Sequence, residues 1–263
     1  MFNRDKINIS ICMATYNGTK YIKEQINSIL PQLMNGDELI VVDDNSTDGT
    51  ADIIRSYQSK YIKLIINPHN IGHVRTFEKA ISQAKNDYIF LSDQDDIWIP
   101  HRVDQMLKKL KSSDCYVLAT NYTSFKDDDG KRTYLNRPII NNVHGSRLLQ
   151  MIKEIMGFRI NSRLGCCIVF TSTLKEILLP FPKNVTQHDI WICICGTLLN
   201  KYLYFDKITL LHRIHDNNVS AKRTRPLYKV LLNRLNRVIY CLIILKRILS
   251  EYGIRLRFSN IKI

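Results

Sequence analysis

The chain has 263 residues, of which 45% are hydrophobic, so it can bury one large core or a core with an appendage. Its net charge of +14 is uneven, because residues 222–263 carry +10 and residues 1–221 carry only +4. The first residues lack the apolar centre of a signal peptide, and no apolar run approaches the ~20 residues that a membrane-spanning helix needs.

Strand and helix patterns alternate through the first hundred residues. Four short apolar runs predict strands, at 7–14, 38–44, 62–67 and 88–91. Apolar residues at helical spacing follow at 20–30 and 74–84; Ser46 or Thr47 is placed to cap a helix, and Pro100 to open another. This alternation predicts an α/β fold with a mostly parallel sheet that helices cover on both faces.

The second half of the chain is less regular. Its patterns predict strands at 115–125, 165–170 and 207–215, a charged turn at 126–132, and helices at 188–200 and 225–250. The seven cysteines lack zinc-ribbon spacing and mostly lie in apolar surroundings, so we interpret them as small core residues.

Polar loops follow each of the first four predicted strands. They read TYNG (15–18), DDNSTDGT (43–50), NPHNIG (67–72) and SDQDD (92–96). Ligands of open α/β sheets bind beyond the carboxyl ends of the strands, so these loops could form one continuous site.

The acidic loop after the fourth strand is the first candidate for a metal site. In an extended segment Asp93 and Asp95 point the same way, and hard carboxylate oxygens suit Mg²⁺ or Mn²⁺, which could hold a diphosphate. The alternative is a solvated acidic turn beside the start of the helix that Pro100 opens. From this stretch alone, an acidic turn is the commoner explanation.

The other loops are compatible with a nucleotide but ambiguous. Tyr16 could stack on a base beside Thr15 and Asn17, or the segment is a simple Asn-Gly turn. One carboxylate of Asp43 and Asp44 could accept a hydrogen bond from a base or a ribose. Arg75 could face phosphates or lie on the surface.

Two late segments contain titratable groups. Asp189, after His188 at a predicted helix start, could cap the helix or act as the base that deprotonates an acceptor hydroxyl. His212 and His215 end the last strand, and their spacing does not distinguish metal ligands from ordinary histidines.

Taken together, these segments resemble the bacterial family-2 glycosyltransferases with the GT-A fold, and most of all the rhamnosyltransferase branch of O-antigen and capsule assembly. The matching segments span residues 9 to about 220, in the order of the family: ISICMATYNGTKYIKEQINSIL, ELIVVDDNSTDGT, NIGHVRTFEKAISQAKNDYIFLSDQDDIW, LGCCIVF, HDIW and LHRIHDNNVS.

The resemblance implies a role for each matching position. It assigns Asp189 as the inverting base, with Mn²⁺ or Mg²⁺ on Asp93, Asp95 and His215. The implied donor-binding residues are Thr15, Tyr16, Asn17, Asp43, Asp44, Arg75, Asp93 and Gln94, and the implied acceptor-side residues are Gly165, His188 and Trp191. Two departures concern the acceptor side: Ile190 replaces an aromatic residue, and Cys166 and Cys167 stand where hydroxyl side chains are expected.

The implied reaction moves L-rhamnose from dTDP-rhamnose, as the nucleotide-sugar donor, to a hydroxyl of a lipid-linked oligosaccharide acceptor. Galactosyl, glucosyl or N-acetylhexosaminyl transfer from a UDP-sugar are alternatives, because pocket shape sets the donor. A third alternative is a non-catalytic relative that only binds a nucleotide-sugar. The presence of Asp93, Asp95 and Asp189 is evidence against it. We divide the chain into a GT-A domain, 1–221, with a nucleotide-sugar-binding half (1–112) and an acceptor-side half (113–221), and a basic helical tail, 222–263.

The basic tail has two interpretations. Its apolar residues form a broad helical face flanked by arginine and lysine, which suits a helix lying on the inner face of the cytoplasmic membrane. The alternative is a helix packed on the catalytic domain. We predict a cytoplasmic protein, peripheral on that membrane if the tail binds lipid. Nucleic acid is a poor candidate partner, because the excess charge is confined to the tail and leaves the acidic loop unexplained.

Overall fold

Nine strands form one mixed sheet in the computed structural model, which describes residues 4, 6–128, 131–135, 164–216 and 227–259. The strands are β1 (Ile9–Thr15), β2 (Glu38–Asp43), β3 (Ile62–Ile66), β4 (Tyr88–Ser92), β5 (Ile97–Trp98), β6 (Val117–Asp128), β7 (Lys131–Leu135), β8 (Ile168–Thr171) and β9 (Tyr202–Arg213). Their order is β3-β2-β1-β4-β8-β6-β9-β5, and β7 pairs with β6.

The parallel part of the sheet is β3-β2-β1-β4, followed by the antiparallel β8. The described helices are α1 (Ile22–Ile29), α2 (Thr50–Ser56), α3 (His73–Gln83), α4 (Arg102–Lys111), α5 (Lys175–Leu178), α6 (His188–Leu198) and α7 (Leu227–Ser259). The predicted α/β class is confirmed, because helices flank a mixed, mostly parallel sheet.

The sheet is buried on both faces, and β1 shows why. Its side chains alternate, so Ile9, Ile11 and Met13 enter one core with α1 and α4, while Cys12 enters the other with α3 and α6. A strand that is buried on both sides must be apolar almost throughout, which is the pattern that the sequence shows. All four strand ends of this parallel part therefore open on the same edge.

Several local predictions differ from the structure. Helix α2 begins at Thr50 with Gly49 before it, and neither Ser46 nor Thr47 caps it, because Ser46 bonds instead to Asp43. Helix α4 begins at Arg102, two residues beyond Pro100. The segment 165–167, predicted as the start of a strand, forms a 3-10 turn, and β8 begins only at Ile168. Part of the predicted turn at 126–132, residues 129–130, lies outside the described residues.

Helix α7 packs on the domain through one face. Tyr240, Cys241 and Ile244 are buried in the α3/α6 core, and the hydroxyl of Tyr240 donates to the carbonyl of Asn184 at 2.8 Å. The guanidinium of Arg247 donates to the carbonyls of Ile177 (2.6 Å) and Pro180 (2.7 Å). None of the helices in the described ranges combines the length and apolar character that crossing a membrane requires.

Candidate active site

A cavity of about 1480 Å³ opens at the carboxyl ends of β1 and β4. Loops after these strands, the turn before β8, the first turn of α6 and the first turns of α7 form its wall. Eleven of the fourteen predicted site residues line it: Thr15, Tyr16, Asn17, Asp44, Asp93, Gln94, Asp95, Gly165, His188, Asp189 and His215. The structure thus brings distant segments together, as the strand-end argument predicted.

Gln94 ties the loop after β4 to the loop after β1. Its side-chain oxygen accepts from the hydroxyl of Thr15 (2.6 Å) and the backbone N–H of Tyr16 (2.8 Å), and its amide donates to the carbonyl of Tyr16 (3.1 Å). A side chain at Gly18 would meet the Gln94 oxygen at 2.5 Å, so this close approach requires glycine. The Tyr16 ring remains 47% exposed in the cavity, available for stacking on a flat ligand.

The loop after β2 is held by its own polar groups. Asp43 is buried and accepts from the N–H (2.8 Å) and hydroxyl (2.7 Å) of Ser46, so it does not reach the cavity. Asn17 accepts from the N–H of Thr47 at 2.9 Å. Asp44 does line the cavity, and it accepts from the N–H groups of Ile71 (2.9 Å) and Gly72 (2.8 Å). Asp44 therefore shapes the neighbouring loop as well as the wall.

The acidic loop has the charge balance of a cation site. Burial, with the charges of Asp96 and Asp95 adding to it, raises the pKa of Asp93 to about 8. His215 lies against Asp95, with Nε2 2.8 Å from Oδ2. Carboxylate oxygens and an imidazole suit a divalent cation such as Mn²⁺, and a bound cation would relieve the repulsion that raises this pKa. Asp95 and His215 therefore offer ligand types that suit the predicted metal, and Asp93 lines the same cavity.

A second imidazole and carboxylate lie behind this loop. His212 Nδ1 donates to Asp96 Oδ1 at 2.9 Å, and both residues are buried. Burial opposes protonation of this ring, but the hydrogen bond that it donates to Asp96 and the charges of Asp96, Asp93 and Asp95 raise the pKa of His212. The site residues predicted from the sequence did not include this pair, which supports the acidic loop from below.

Arg213 organises the floor beneath the acidic loop and was missed by the sequence analysis. Its Nε donates to the carbonyl of Asp95 at 2.9 Å, and its guanidinium pairs with Glu24 and Asp127. The guanidinium lies between the rings of Tyr21 and Phe125, 4.7 and 4.6 Å from their centroids. Partial burial opposes ionisation of Glu24, yet hydrogen bonds from Arg132 and Arg213 lower its pKa. Its only sequence signal was its place between His212 and His215.

Replacing Arg213 with lysine should lower the free energy of unfolding by about 2 kcal/mol, because an ammonium cannot make the planar contacts to two carboxylates and two rings. Turnover should fall too, since the carbonyl of Asp95 loses its donor. Urea denaturation measures the first effect. The matched control is Arg55→Lys, whose exposed pair with Asp52 should contribute less than ~0.5 kcal/mol. Equal losses in the two variants would contradict the role of Arg213.

Gly165 and His188, which the sequence predicted for the acceptor side, meet at the cavity. A side chain at Gly165 would lie 2.5 Å from Nε2 of His188, so the glycine permits the imidazole to sit beneath it. His188 stacks on Phe77 with centroids 4.0 Å apart, and burial, with the charge of His73 adding to it, lowers the pKa of His188 to about 3. This ring is therefore neutral, and neither nitrogen has a hydrogen-bond partner among the described residues.

Asp189 is the carboxylate in the first turn of α6, where the helix dipole favours a negative charge. It is partly buried, lines the cavity, and its Oδ1 accepts from the N–H of Ile190 at 2.8 Å. Asp189 lines the same cavity as Asp93 and Asp95 of the acidic loop.

Two further predicted site residues lie away from the cavity. The guanidinium of Arg75 pairs with Glu78 and donates to the carbonyls of Phe181 (2.8 Å) and Pro182 (2.9 Å). Trp191 is fully buried, in the core cluster that also contains Phe181 and Tyr240. Its indole N–H donates to the carbonyl of Leu178 at 3.2 Å, and its ring packs edge-on against Tyr240. Arg75 and Trp191 therefore anchor the fold here rather than contact a substrate.

Comparison with known sequences gives one family. Residues 10–175 match the model described as "Glycosyl transferase family 2". The UDP-Glc:alpha-D-GlcNAc-diphosphoundecaprenol beta-1,3-glucosyltransferase WfgD of Escherichia coli is 30% identical over 232 residues, which covers 83% of this chain and 82% of that protein. The dTDP-rhamnosyl transferase RfbG of Shigella flexneri is 27% identical over 224 residues, covering 78% and 72%. These similarities do not select one donor sugar.

Solved structures confirm the predicted GT-A fold. TarS of S. aureus, residues 1–349 in complex with UDP-GlcNAc, superposes with a TM-score of 0.67 at 20% identity, covering 93% of this chain and 73% of that one. Glucosyl-3-phosphoglycerate synthase from Mycobacterium tuberculosis, in complex with Mn²⁺, UDP and glucosyl-3-phosphoglycerate, superposes with a TM-score of 0.58 at 19% identity, covering 92% and 81%.

Proposed function

The chain belongs to glycosyl transferase family 2, and from this premise we propose that it is an inverting, metal-dependent enzyme acting on a lipid-linked glycan. It is a glycosyltransferase that uses a nucleotide-sugar. The observation that carries the proposal is one cavity in which Asp189 and the acidic loop of Asp93 and Asp95 both line the wall. A single displacement at the anomeric carbon requires a base for the acceptor hydroxyl and a binding site for the leaving diphosphate.

The donor half of the cavity would hold the nucleotide. The exposed ring of Tyr16 is available to stack on the base, beside Thr15, Asn17 and Asp44. Gln94 fixes this loop against the acidic loop, so the base and the diphosphate would be held at a constant spacing. Arg75 is left out of this proposal, because its guanidinium is engaged elsewhere.

The diphosphate would lie at the acidic loop. Asp93, Asp95 and His215 would hold a divalent cation, which supplies positive charge to the leaving nucleoside diphosphate. Arg213 keeps the backbone of Asp95 in place from below. Mn²⁺ accompanies UDP in the Mycobacterium tuberculosis structure, which supports Mn²⁺ as the cation here too.

The acceptor hydroxyl would be activated by Asp189. As its oxygen attacks the anomeric carbon, its proton passes to the carboxylate of Asp189, and the bond to the diphosphate breaks. One displacement from the side opposite the leaving group inverts the configuration of that carbon. Gly165 and His188 would shape the acceptor side of the cavity.

We propose L-rhamnose from dTDP-rhamnose as the transferred sugar, supported by the similarity to the dTDP-rhamnosyl transferase of Shigella flexneri. The similarity to the glucosyltransferase of Escherichia coli supports a glucosyl alternative and a lipid-diphosphate acceptor. Such an acceptor would place the enzyme in surface polysaccharide synthesis, at the inner face of the cytoplasmic membrane.

A donor screen tests the sugar. The purified chain with Mn²⁺ and a lipid-diphosphate glycan is given dTDP-rhamnose, UDP-galactose, UDP-glucose or UDP-N-acetylglucosamine, and nucleotide release is measured. We expect kcat/KM for dTDP-rhamnose to exceed the others by about a hundredfold or more, because pocket groups left unpaired by a wrong sugar penalise its transition state. A UDP-sugar that is used equally well or better would overturn the rhamnose assignment. The Asp189→Asn variant sets the background rate.

A further inference from the structure

An exposed apolar stripe runs along α7. Seven of its side chains recur at alternating spacings of three and four residues, and Leu232 adjoins them. We call this set the α7 stripe: Tyr228, Leu231, Leu232, Leu235, Val238, Leu242, Leu245 and Leu249. Their exposed fractions run from 37% at Val238 to 71% at Leu249, over about 32 Å of helix. Large exposed apolar patches mark interaction surfaces, so we expect this stripe to contact a binding partner.

The stripe is held facing outward. The opposite side of the helix is fixed by the buried Tyr240 and Ile244 and by Arg247, whose guanidinium donates to three carbonyls of the α5 region. The helix therefore cannot roll to bury its leucines against its own domain without breaking these contacts. The partner of the stripe must come from outside the described fold.

The charge of this helix selects the partner. Residues 227–250 contain five basic residues and no acidic residue: Lys229, Arg234, Arg237, Lys246 and Arg247. Alternating three- and four-residue spacing also suits a coiled-coil seam, but pairing two copies side by side would bring ten positive charges together. An anionic lipid surface instead accepts both the leucines and the flanking cations. Charge complementarity therefore favours a membrane over a second copy.

The first turns of the stripe also belong to the cavity. Tyr228, Lys229, Leu232 and Asn233 line the same cavity as Asp189 and His215. A membrane in contact with the stripe would thus reach the rim of the cavity. The anionic headgroup of a lipid in that membrane would meet Lys229 at the entrance.

We propose that the α7 stripe lies on an anionic membrane surface and that its first two turns lead a lipid-linked acceptor from that surface into the cavity. The membrane contact is independent of the proposed function, and the delivery of the acceptor rests on it. Burial of leucine side chains in the lipid would supply most of the binding, and the basic residues would make it dependent on anionic lipid and on salt.

Flotation of the full chain with vesicles tests the contact. Vesicles of phosphatidylcholine alone are compared with vesicles that also contain phosphatidylglycerol. The double variant Leu235→Glu, Leu242→Glu should bind the anionic vesicles at least about tenfold more weakly than the unmodified chain. It loses two leucines that the lipid would bury, and it gains two negative charges that the anionic surface repels. The matched control is Met34→Glu, Ile208→Glu, which changes the same charge at exposed apolar residues away from α7 and should bind normally.

Four outcomes separate the possibilities. Equal flotation of the stripe variant and the unmodified chain, with both folded by circular dichroism, would overturn the membrane contact. So would light scattering that shows a dimer which the stripe variant alone dissociates, without a change in flotation. For delivery, the stripe variant should keep turnover on a short-chain soluble acceptor and lose about tenfold on a vesicle-held one. If the stripe variant matched the unmodified chain on the soluble and on the vesicle-held acceptor, delivery would be overturned. If the unmodified chain floated with vesicles but transferred no sugar, only the proposed function would be refuted.

Discussion

Asp189→Asn is expected to lower kcat for sugar transfer by about a thousandfold, because a general base contributes roughly 10²–10⁴ in rate. An amide has the shape of the carboxylate and its oxygen can still accept from the N–H of Ile190, so the first turn of α6 should stay intact. It cannot take the proton of the acceptor hydroxyl. Calorimetric titration with the donor should give an unchanged Kd, which separates lost chemistry from lost binding.

The matched control for this variant is Asp87→Asn. Asp87 is an exposed carboxylate outside the cavity, and its loss changes the net charge by the same amount. It should keep the transfer rate within about twofold of the unmodified chain. Transfer by Asp189→Asn at the rate of this control would remove Asp189 from the reaction.

Removal of divalent cations is expected to cost about a thousandfold in turnover, and added Mn²⁺ should restore it. Stabilising the charge of a leaving diphosphate is worth several kcal/mol, and each 1.4 kcal/mol is about tenfold in rate. Asp95→Asn should show the same loss even with the metal present, because it removes the carboxylate that lies against His215. Full turnover in EDTA would exclude a metal from the proposed mechanism.

A binding measurement distinguishes a metal site from a merely structural acidic loop. Free Mn²⁺ counted by electron paramagnetic resonance should fall on addition of the unmodified chain and nucleoside diphosphate, and much less on addition of Asp95→Asn. A structural role alone would lower the melting temperature of Asp95→Asn and leave Mn²⁺ binding unchanged.

The tail interpretations that the sequence left open are not exclusive in the structure. Tyr240 and Ile244 pack on the domain, and Leu235 and Leu242 face outward. A helix repeats every 3.6 residues, so one segment can present an inner and an outer apolar face. The tail residues at 222–226 and 260–263, which include several of the predicted basic residues, lie outside the described residues.

Local sequence patterns were enough to predict the alternating elements and the gathering of polar loops at one edge of the sheet. Strands buried on both faces must be apolar, parallel strands end together, and loops such as TYNG and SDQDD therefore converge whatever the details. This is why Thr15, Tyr16 and Asp95 could be predicted to share a cavity, whereas only the family resemblance assigned Asp189 to the site.

The directions and partners of individual side chains, in contrast, follow only from the tertiary structure. Arg75 and Trp191 stand in segments next to the site, yet one bonds to carbonyls at 181–182 and the other enters the core. No sequence motif marked Arg213, yet its side chain contacts Glu24, Asp95 and Asp127, which belong to three distant segments. The strand and helix periods fix the face of the element on which each residue lies. The partners of a long side chain depend on which distant segments lie near it in the folded chain, and no local pattern encodes that.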